Sequence, residues 1–222
     1  MPTQSTDVHH LQCGQTLRLM PERCVFWVEQ NIVLAADLHL GKEGTFCSAG
    51  IPVPQGPSLD TLARLTRAVD RSRASRLVVL GDLFHGDQAI AAMTGSFAGW
   101  RELHAGLVID LITGSHDRWS GELPAGWDIG VHISPLQIGP FVLRHEPEPA
   151  DGSYVLAGHL HPGIGLRESR TGDMLRLPCF LFGQRFGLLP AFGEFTGLGL
   201  MEVGPGEACF AVADGLVVQV PA

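Results

Sequence analysis

At 222 residues, with 45% apolar and 17% charged side chains, the chain is long enough for one large domain and too apolar to be disordered. Its formal net charge of −8 excludes a broad basic surface for coating nucleic acid, but not a phosphate substrate held by metal ions. No run of about 18 uncharged apolar residues occurs, so no membrane span is expected.

The N-terminal MPTQSTDVHH lacks a basic segment followed by an apolar one, so no signal peptide is expected. The five cysteines, at 13, 24, 47, 179 and 209, are odd in number and form no C-x-x-C pair. That argues against a disulfide framework or zinc knuckle, and for a reducing, cytoplasmic setting. Two apolar runs, 24–28 and 32–36, are split by Glu29-Gln30-Asn31 and predict a β-hairpin. The second run leads directly into Asp37-Leu38-His39. Residues 41–57, rich in Gly and Pro, predict a loop. Ser58 is placed to N-cap a helix over 59–71, with Leu62, Leu65 and Val69 on one face.

Residues 77–80 form a continuous apolar run, as in a buried parallel strand, and end at Gly81-Asp82. A weaker helical pattern covers 88–104. The next strand, 107–112, leads to Gly114-Ser115-His116-Asp117. A strand over 141–144 ends at His145, and one over 154–157 ends at Gly158-His159-Leu160-His161. Short apolar runs broken by Gly and Pro predict further β-structure over 175–220. No repeat or linker divides the chain, so residues 1–222 are expected to form one domain.

One pattern recurs five times: an apolar strand, then at once a residue of metal-ligand type. In open α/β sheets, ligands bind beyond the carboxyl ends of strands, where distant loops converge. Each occurrence alone is weak, because a strand-end Asp is usually a turn residue and most histidines bind no metal. The ordered set of D-x-H, GD, G-x-HD, H and GH-x-H is a different matter. Mixed carboxylates and imidazoles suit Mn, Fe or Zn.

The segments DLHLGK at 37–42, GDLFHG at 81–86, GSHDR at 114–118, RHEP at 144–147 and GHLHPG at 158–163 resemble the calcineurin-like metallophosphoesterase superfamily. With DLHLGKE, RHEP and LPAFGEFTG at 189–197, the chain resembles within it the ligase-associated DNA damage response endonuclease subfamily, PdeM. The resemblance implies an α/β fold, a four-layer αββα sandwich of two mixed β-sheets with the metal site at the C-terminal ends of strands. It implies two divalent ions, Mn first, with Fe or Zn as alternatives. Asp37, His39 and His161 would hold one ion, His145 and His159 the other, and Asp82 would bridge. His116 would act as the acid, with Asp117 orienting it.

Where the family carries Asn as a ligand of the second ion, this chain has Ser115, whose shorter hydroxyl is a poorer ligand. The implied reaction is phosphodiester hydrolysis of DNA by metal-activated water, in association with a DNA ligase and a helicase; the acidic net charge weighs against a large footprint, so ends or short single strands are the expected DNA. Lys42 and Arg118 are candidates for substrate phosphate, with surface ion pairs as the alternative. His85 is expected in a loop or behind the ligands, and His9, His10, His104 and His132 are expected not to ligate. Trp119 and Trp127 are expected to pack, although an aromatic at such a mouth can stack on a base. The competing readings are a cyclic-nucleotide phosphodiesterase and a weakly active binding scaffold. A scaffold is expected to lose ligands, and here only one position departs.

Overall fold

The computed structural model describes residues 6–48, 50, 56–86, 88–167 and 172–221. The chain opens with a hairpin, β1 (Val8–Gln12) and β2 (Gln15–Met20), turning at Cys13 and Gly14, both at positive φ. A Cys-Gly turn lacks the Asn-Gly or Asp-Gly signature, so nothing in the sequence marks it. The predicted hairpin follows as β3 (Cys24–Trp27) and β4 (Ile32–Ala35).

Residues 42–48, expected to be loop, instead form helix α1 (Lys42–Ser48). Tertiary bonding explains it. The Glu43 carboxylate accepts the Ser58 N–H at 3.2 Å and its hydroxyl at 2.6 Å, and the same hydroxyl accepts the Gly41 N–H at 2.8 Å. Ser58 is therefore not the N-cap of α2 (Pro57–Ser72). Gly56 holds that position, and Pro57 begins the helix with its φ already set.

The chain continues with β5 (Arg76–Val79), α3 (Ala89–Leu103), β6 (Val108–Ile112), α4 (Asp117–Ser120), a 3-10 turn (Ala125–Trp127) and β7 (Ile129–His132). Strands β1 to β7 lie in chain order in one sheet, antiparallel from β1 to β4 and parallel from β4 to β7. The second sheet holds β8 (Leu136–Ile138), β9 (Phe141–Leu143), β10 (Tyr154–Ala157), β11 (Pro162–Arg167), β12 (Met174–Phe182), β13 (Phe186–Leu188), β14 (Gly199–Leu200), β15 (Ala208–Ala213) and β16 (Leu216–Val220). It is also mixed: β10 runs parallel to β9 and β13, while β12 runs antiparallel to β11, β13 and β15.

The alternation along each strand sorts the core into layers. Val33, Ala35, Leu77 and Val79 face α2 and α3, meeting Leu62, Leu65, Phe97 and Trp100. Ile32, Leu34, Val78 and Leu80 face the second sheet, meeting Phe141, Tyr154, Phe180 and Phe210. The opposite face of the second sheet carries a smaller cluster that includes Val155, Cys179 and Ala211, covered by strand and loop. Burying each such large side chain contributes about 1.5–3 kcal/mol, so the two sheets are held face to face by aliphatic and aromatic packing together. Among the described residues no helix is long and apolar enough to cross a membrane.

Candidate metal centre

The loops after β4, β5, β6, β9 and β10 all leave from the carboxyl ends of their strands, and the candidate ligands lie on them. The first two loops are laced together. The N–H groups of Asp37, His39 and Leu40 donate to the carbonyls of Gly81, Asp82 and Leu83, and His85 N–H donates back to Leu40. Asp37, His39, Asp82, His159 and His161 all adopt φ between 47° and 69°. Left-handed backbone is uncommon outside glycine, costs of order 1 kcal/mol or more per residue, and clusters where function demands a fixed side-chain direction.

Asp82 occupies the middle. Its Oδ1 accepts the His116 backbone N–H at 2.8 Å. Its Oδ2 lies 3.8 Å from His39 Nε2 and 3.5 Å from His145 Nε2, between two sets of imidazoles. On one side, His39 Nε2 is 3.3 Å from His161 Nε2, and His161 Nε2 is 3.5 Å from Asp37 Oδ1. On the other, His145 Nε2 is 2.9 Å from His159 Nδ1. His145 Nδ1 lies 2.9 Å from the Leu80 carbonyl. A carbonyl only accepts, so Nδ1 carries the proton and Nε2 points its lone pair at the centre.

Two glycines make room for the carboxylates. A Cβ on Gly114 would fall 2.3 Å from Asp82 Oδ1, and one on Gly158 would fall 2.5 Å from Asp37 Oδ2.

The donor set fits divalent cations. Asp37 is fully buried, and its Oδ1 has no hydrogen-bond partner among the described residues, although Oδ2 accepts the His159 N–H at 2.8 Å. A buried carboxylate oxygen without a donor is costly unless a cation answers it. Burial, and then the positive charge of Lys42 and the neighbouring imidazoles, holds His39 down to about 2. It is therefore a neutral ring, the form that ligates metal. Ligating atoms fall into three convergent groups: Asp37, His39 and His161; Asp37, Asp82 and His145; and His39, His85 and His116.

Four sequence expectations meet this geometry differently. Among the described residues no hydrogen bond links the Asp117 carboxylate to the His116 ring, the contact expected of it. Its two carboxylate oxygens accept backbone N–H groups from Asp82, Leu83, Phe84 and Gly114 at 2.7–3.3 Å, binding the β5 loop to the β6 loop. Its acidity follows from that seat: burial raises its pKa, the Asp82 charge adds to this, and the N–H groups offset only part. Ser115 turns its hydroxyl to Asp82 Oδ2 at 3.4 Å. Lys42 is half-buried at the start of α1, its pKa lowered by burial against the pull of Asp82. Arg118 is exposed at the mouth, where it lines two adjoining clefts.

His85 stands behind His39, the position expected for it. Its Nδ1 is 3.1 Å from His39 Nδ1, and its ring stacks on His116 with centroids 4.4 Å apart. Burial, then the charges of His116 and Lys42, hold His85 down to about 4. It can thus accept the His39 Nδ1 proton and leave His39 Nε2 free to ligate. The signal was present in the GDLFHG run, where His85 follows Asp82 by three residues. The backbone role of Asp117 and the space above Gly114 and Gly158 had no sequence signal beyond residue type.

No protein-family model matches the chain, and no curated protein does. Among solved structures it is similar to the nuclease MPE of Pseudomonas putida, with 36% identity and a TM-score of 0.85 over 96% of this chain and 100% of that one. It is also similar to YfcE, a phosphoesterase from E. coli, with 16% identity over 85% of this chain and 97% of that one; the TM-score of 0.42 is too low to carry an argument.

Proposed function

Because the chain belongs to the metallophosphoesterase family, we propose that its centre is that of a dinuclear metal-dependent phosphodiesterase that cuts DNA. The chain is a metal-dependent phosphoesterase, a hydrolase of ester bonds. The observation that carries the reading is the placing of buried Asp82 between two imidazole sets, beside a buried Asp37 oxygen that lacks a donor among the described residues.

Asp37, His39 and His161 would hold one cation, His145 and His159 the other, with Asp82 shared. Two such cations supply Lewis-acid polarisation of phosphoryl oxygens and lower the pKa of water at the site. The chain's own residues supply the rest. Leu80 and His85 fix the tautomers of His145 and His39. Asp117 holds the Asp82 loop through four backbone N–H groups. His116, stacked on His85 and 5.0 Å from the His39 ring centroid, is positioned to hand a proton to the leaving oxygen. Such a step is typically worth about 10²–10⁴-fold. Lys42 and Arg118 bring positive charge to the substrate phosphates.

Mn²⁺ is the proposed metal, with Fe or Zn as alternatives, since mixed N and O ligands suit these ions. Ends or short single strands are the proposed DNA, because a net charge of −8 gives no broad basic footprint. A cytoplasmic setting and one domain over 1–222 belong to this reading and rest on the sequence alone, and a working association with a DNA ligase and a helicase rests on the family resemblance. The test is hydrolysis of bis-p-nitrophenyl phosphate by metal-stripped protein with Mn²⁺ restored, beside Asp82→Ala. Activity that returns with Mn²⁺ and is absent in the variant supports the reading. Tight Mn²⁺ binding without turnover would instead favour a binding scaffold.

A further inference from the structure

The segment 189–199 runs between the two loops that carry most of the proposed ligands. Leu189 N–H donates to the Ala157 carbonyl at 2.8 Å, at the end of β10. Phe192 N–H donates to Ala36 at 2.8 Å and Gly193 N–H to Asp37 at 3.0 Å, just past β4. Gly199 N–H then donates to the His161 carbonyl at 2.9 Å. The segment therefore straps the Asp37 loop of the first sheet to the His159 and His161 loop of the second. It lies against both: a Cβ on Gly193 would collide with the Leu38 carbonyl, and one on Gly199 with the Leu160 carbonyl.

Two arginines clamp the strap from outside the centre. Arg64, on α2, is 7% exposed. Its guanidinium donates to the Phe192 carbonyl and to the Glu194 carboxylate, and its central carbon lies 4.9 Å from the Phe192 ring centroid. Arg23, in the turn between β2 and β3, donates to the Gly193 carbonyl at 3.4 Å and stands 4.0 Å from Glu194. The Phe192–Gly193 peptide is thus held at both ends, its carbonyl by Arg64 and its N–H on the Asp37 carbonyl. Asp37 sits at φ 54°, a conformation that persists only where the surroundings fix it. Burial, then the charge of Arg23, lowers the Arg64 pKa against the pull of Glu194. A buried charge held at such a cost is weak evidence for stability. What Arg64 supplies is a planar fork that sets two acceptors of the strap at once.

Resting on the reading of this centre as a two-metal site, we propose that Arg64 is a positioning residue for it: through the Phe192–Gly193 peptide it fixes the Asp37 main chain, and with it the placing of Asp37 against His161. Arg64 touches no proposed ligand side chain and acts only through the strap. Groups that orient ligands from behind are typically worth about 10–100-fold in metal affinity.

The test is Mn²⁺ titration of the metal-stripped protein, with the electron paramagnetic resonance spectrum of the bound ions at saturating Mn²⁺, for wild type, Arg64→Met and Arg101→Met. Arg101 is the control, a second buried arginine, 8% exposed, whose bonds go to the Trp127 and His104 carbonyls. Urea melts of the metal-free forms measure the stability that each variant loses. A purely structural role would lower both melts and leave both metal readouts of the folded protein at wild type. The expected result is Mn²⁺ bound about 10–100-fold more weakly, or an altered spectrum, in Arg64→Met and not in Arg101→Met. Where Arg64→Met does not fold, Glu194→Gln decides in its place, since that side chain is 39% exposed and its loss spares the core. A deciding variant that matches wild type in both readouts, or an Arg101→Met that departs as far, would overturn the assignment. If wild type meanwhile hydrolyses bis-p-nitrophenyl phosphate, the phosphodiesterase stands without the positioning role. Metal readouts shifted by the deciding variant alone, in a protein without Mn²⁺-dependent hydrolysis, uphold Arg64 and sink the phosphodiesterase. Wild type that binds no Mn²⁺ overturns both.

Discussion

Asp82 is the residue on which the two imidazole sets meet, and its neighbours show how little freedom it has. One oxygen takes the His116 N–H, and the other faces His39, His145 and the Ser115 hydroxyl. An amide oxygen at position 115 would reach further than the hydroxyl, so Ser115→Asn is expected to tighten the weaker of two Mn²⁺ sites by about 10–100-fold. Isothermal titration reads this directly, and two equally tight sites in the wild type would sink the argument. Space matters as much as ligand type. Gly158→Ala places a methyl 2.5 Å from both the Asp37 carboxylate and the Ala36 Cβ. Its expected cost is about 1–3 kcal/mol of stability, together with weakened metal binding, measured by chemical denaturation and by metal titration.

Among the elements, the parallel strands β5, β6 and β7 are joined by one polar crosslink as well as their apolar faces, and two of them, β5 and β6, lead into ligand loops. Asp110 in β6 accepts from Arg76 Nε in β5 at 2.7 Å and lies 2.6 Å from His132 Nε2 in β7. Burial acts to raise the Asp110 pKa, but the bonds from Arg76 and His132 outweigh it and hold the carboxyl below 3.8. A carboxyl depressed on folding stabilises above its unfolded pKa, and that stabilisation is lost as pH falls through the folded value. Asp110→Asn is therefore expected to lose about 1–2 kcal/mol at pH 7, a figure kept low because both partners are about one-third exposed. The deficit should start to shrink near pH 3.8 and vanish only below the depressed folded value, where the wild-type carboxyl protonates. Urea melts across pH measure it, and a deficit that persists unchanged in acid would contradict the crosslink.

For the whole molecule, the metal centre sits where loops from both sheets converge, so metal binding and folding are coupled. Asp37, His39 and Asp82 come from the first sheet, His145, His159 and His161 from the second. Cations that bind only this assembled set stabilise the native state by about 2.7 kcal/mol at 100 times their Kd. For a chain of this size the expected rise in Tm is roughly 5–10 °C. Calorimetry with Mn²⁺ and with EDTA checks it, and Asp82→Ala should show little or no Mn²⁺-dependent rise.

Much of this was legible in the sequence because it is local. Buried parallel strands read as short apolar runs, and the residue after each run lies where the backbone leaves the sheet, so strand and candidate ligand appear side by side. The β3–β4 hairpin, β5, β6, β9, β10 and all the residues proposed as ligands were visible in this way. What tertiary structure decided is whatever depends on contacts distant in the chain. Helix α1 forms because Glu43 meets Ser58. Asp117 serves four backbone N–H groups because the β5 loop folds onto it, and no motif spacing encodes that choice of partner. The opening β1–β2 hairpin is fixed by pairing with β3 rather than by its turn residues. The groove past Arg118 exists only because the chain after α4 stands away from β7. Pattern along the chain determines which residues leave the strands at the centre; packing across the chain determines what each of them touches.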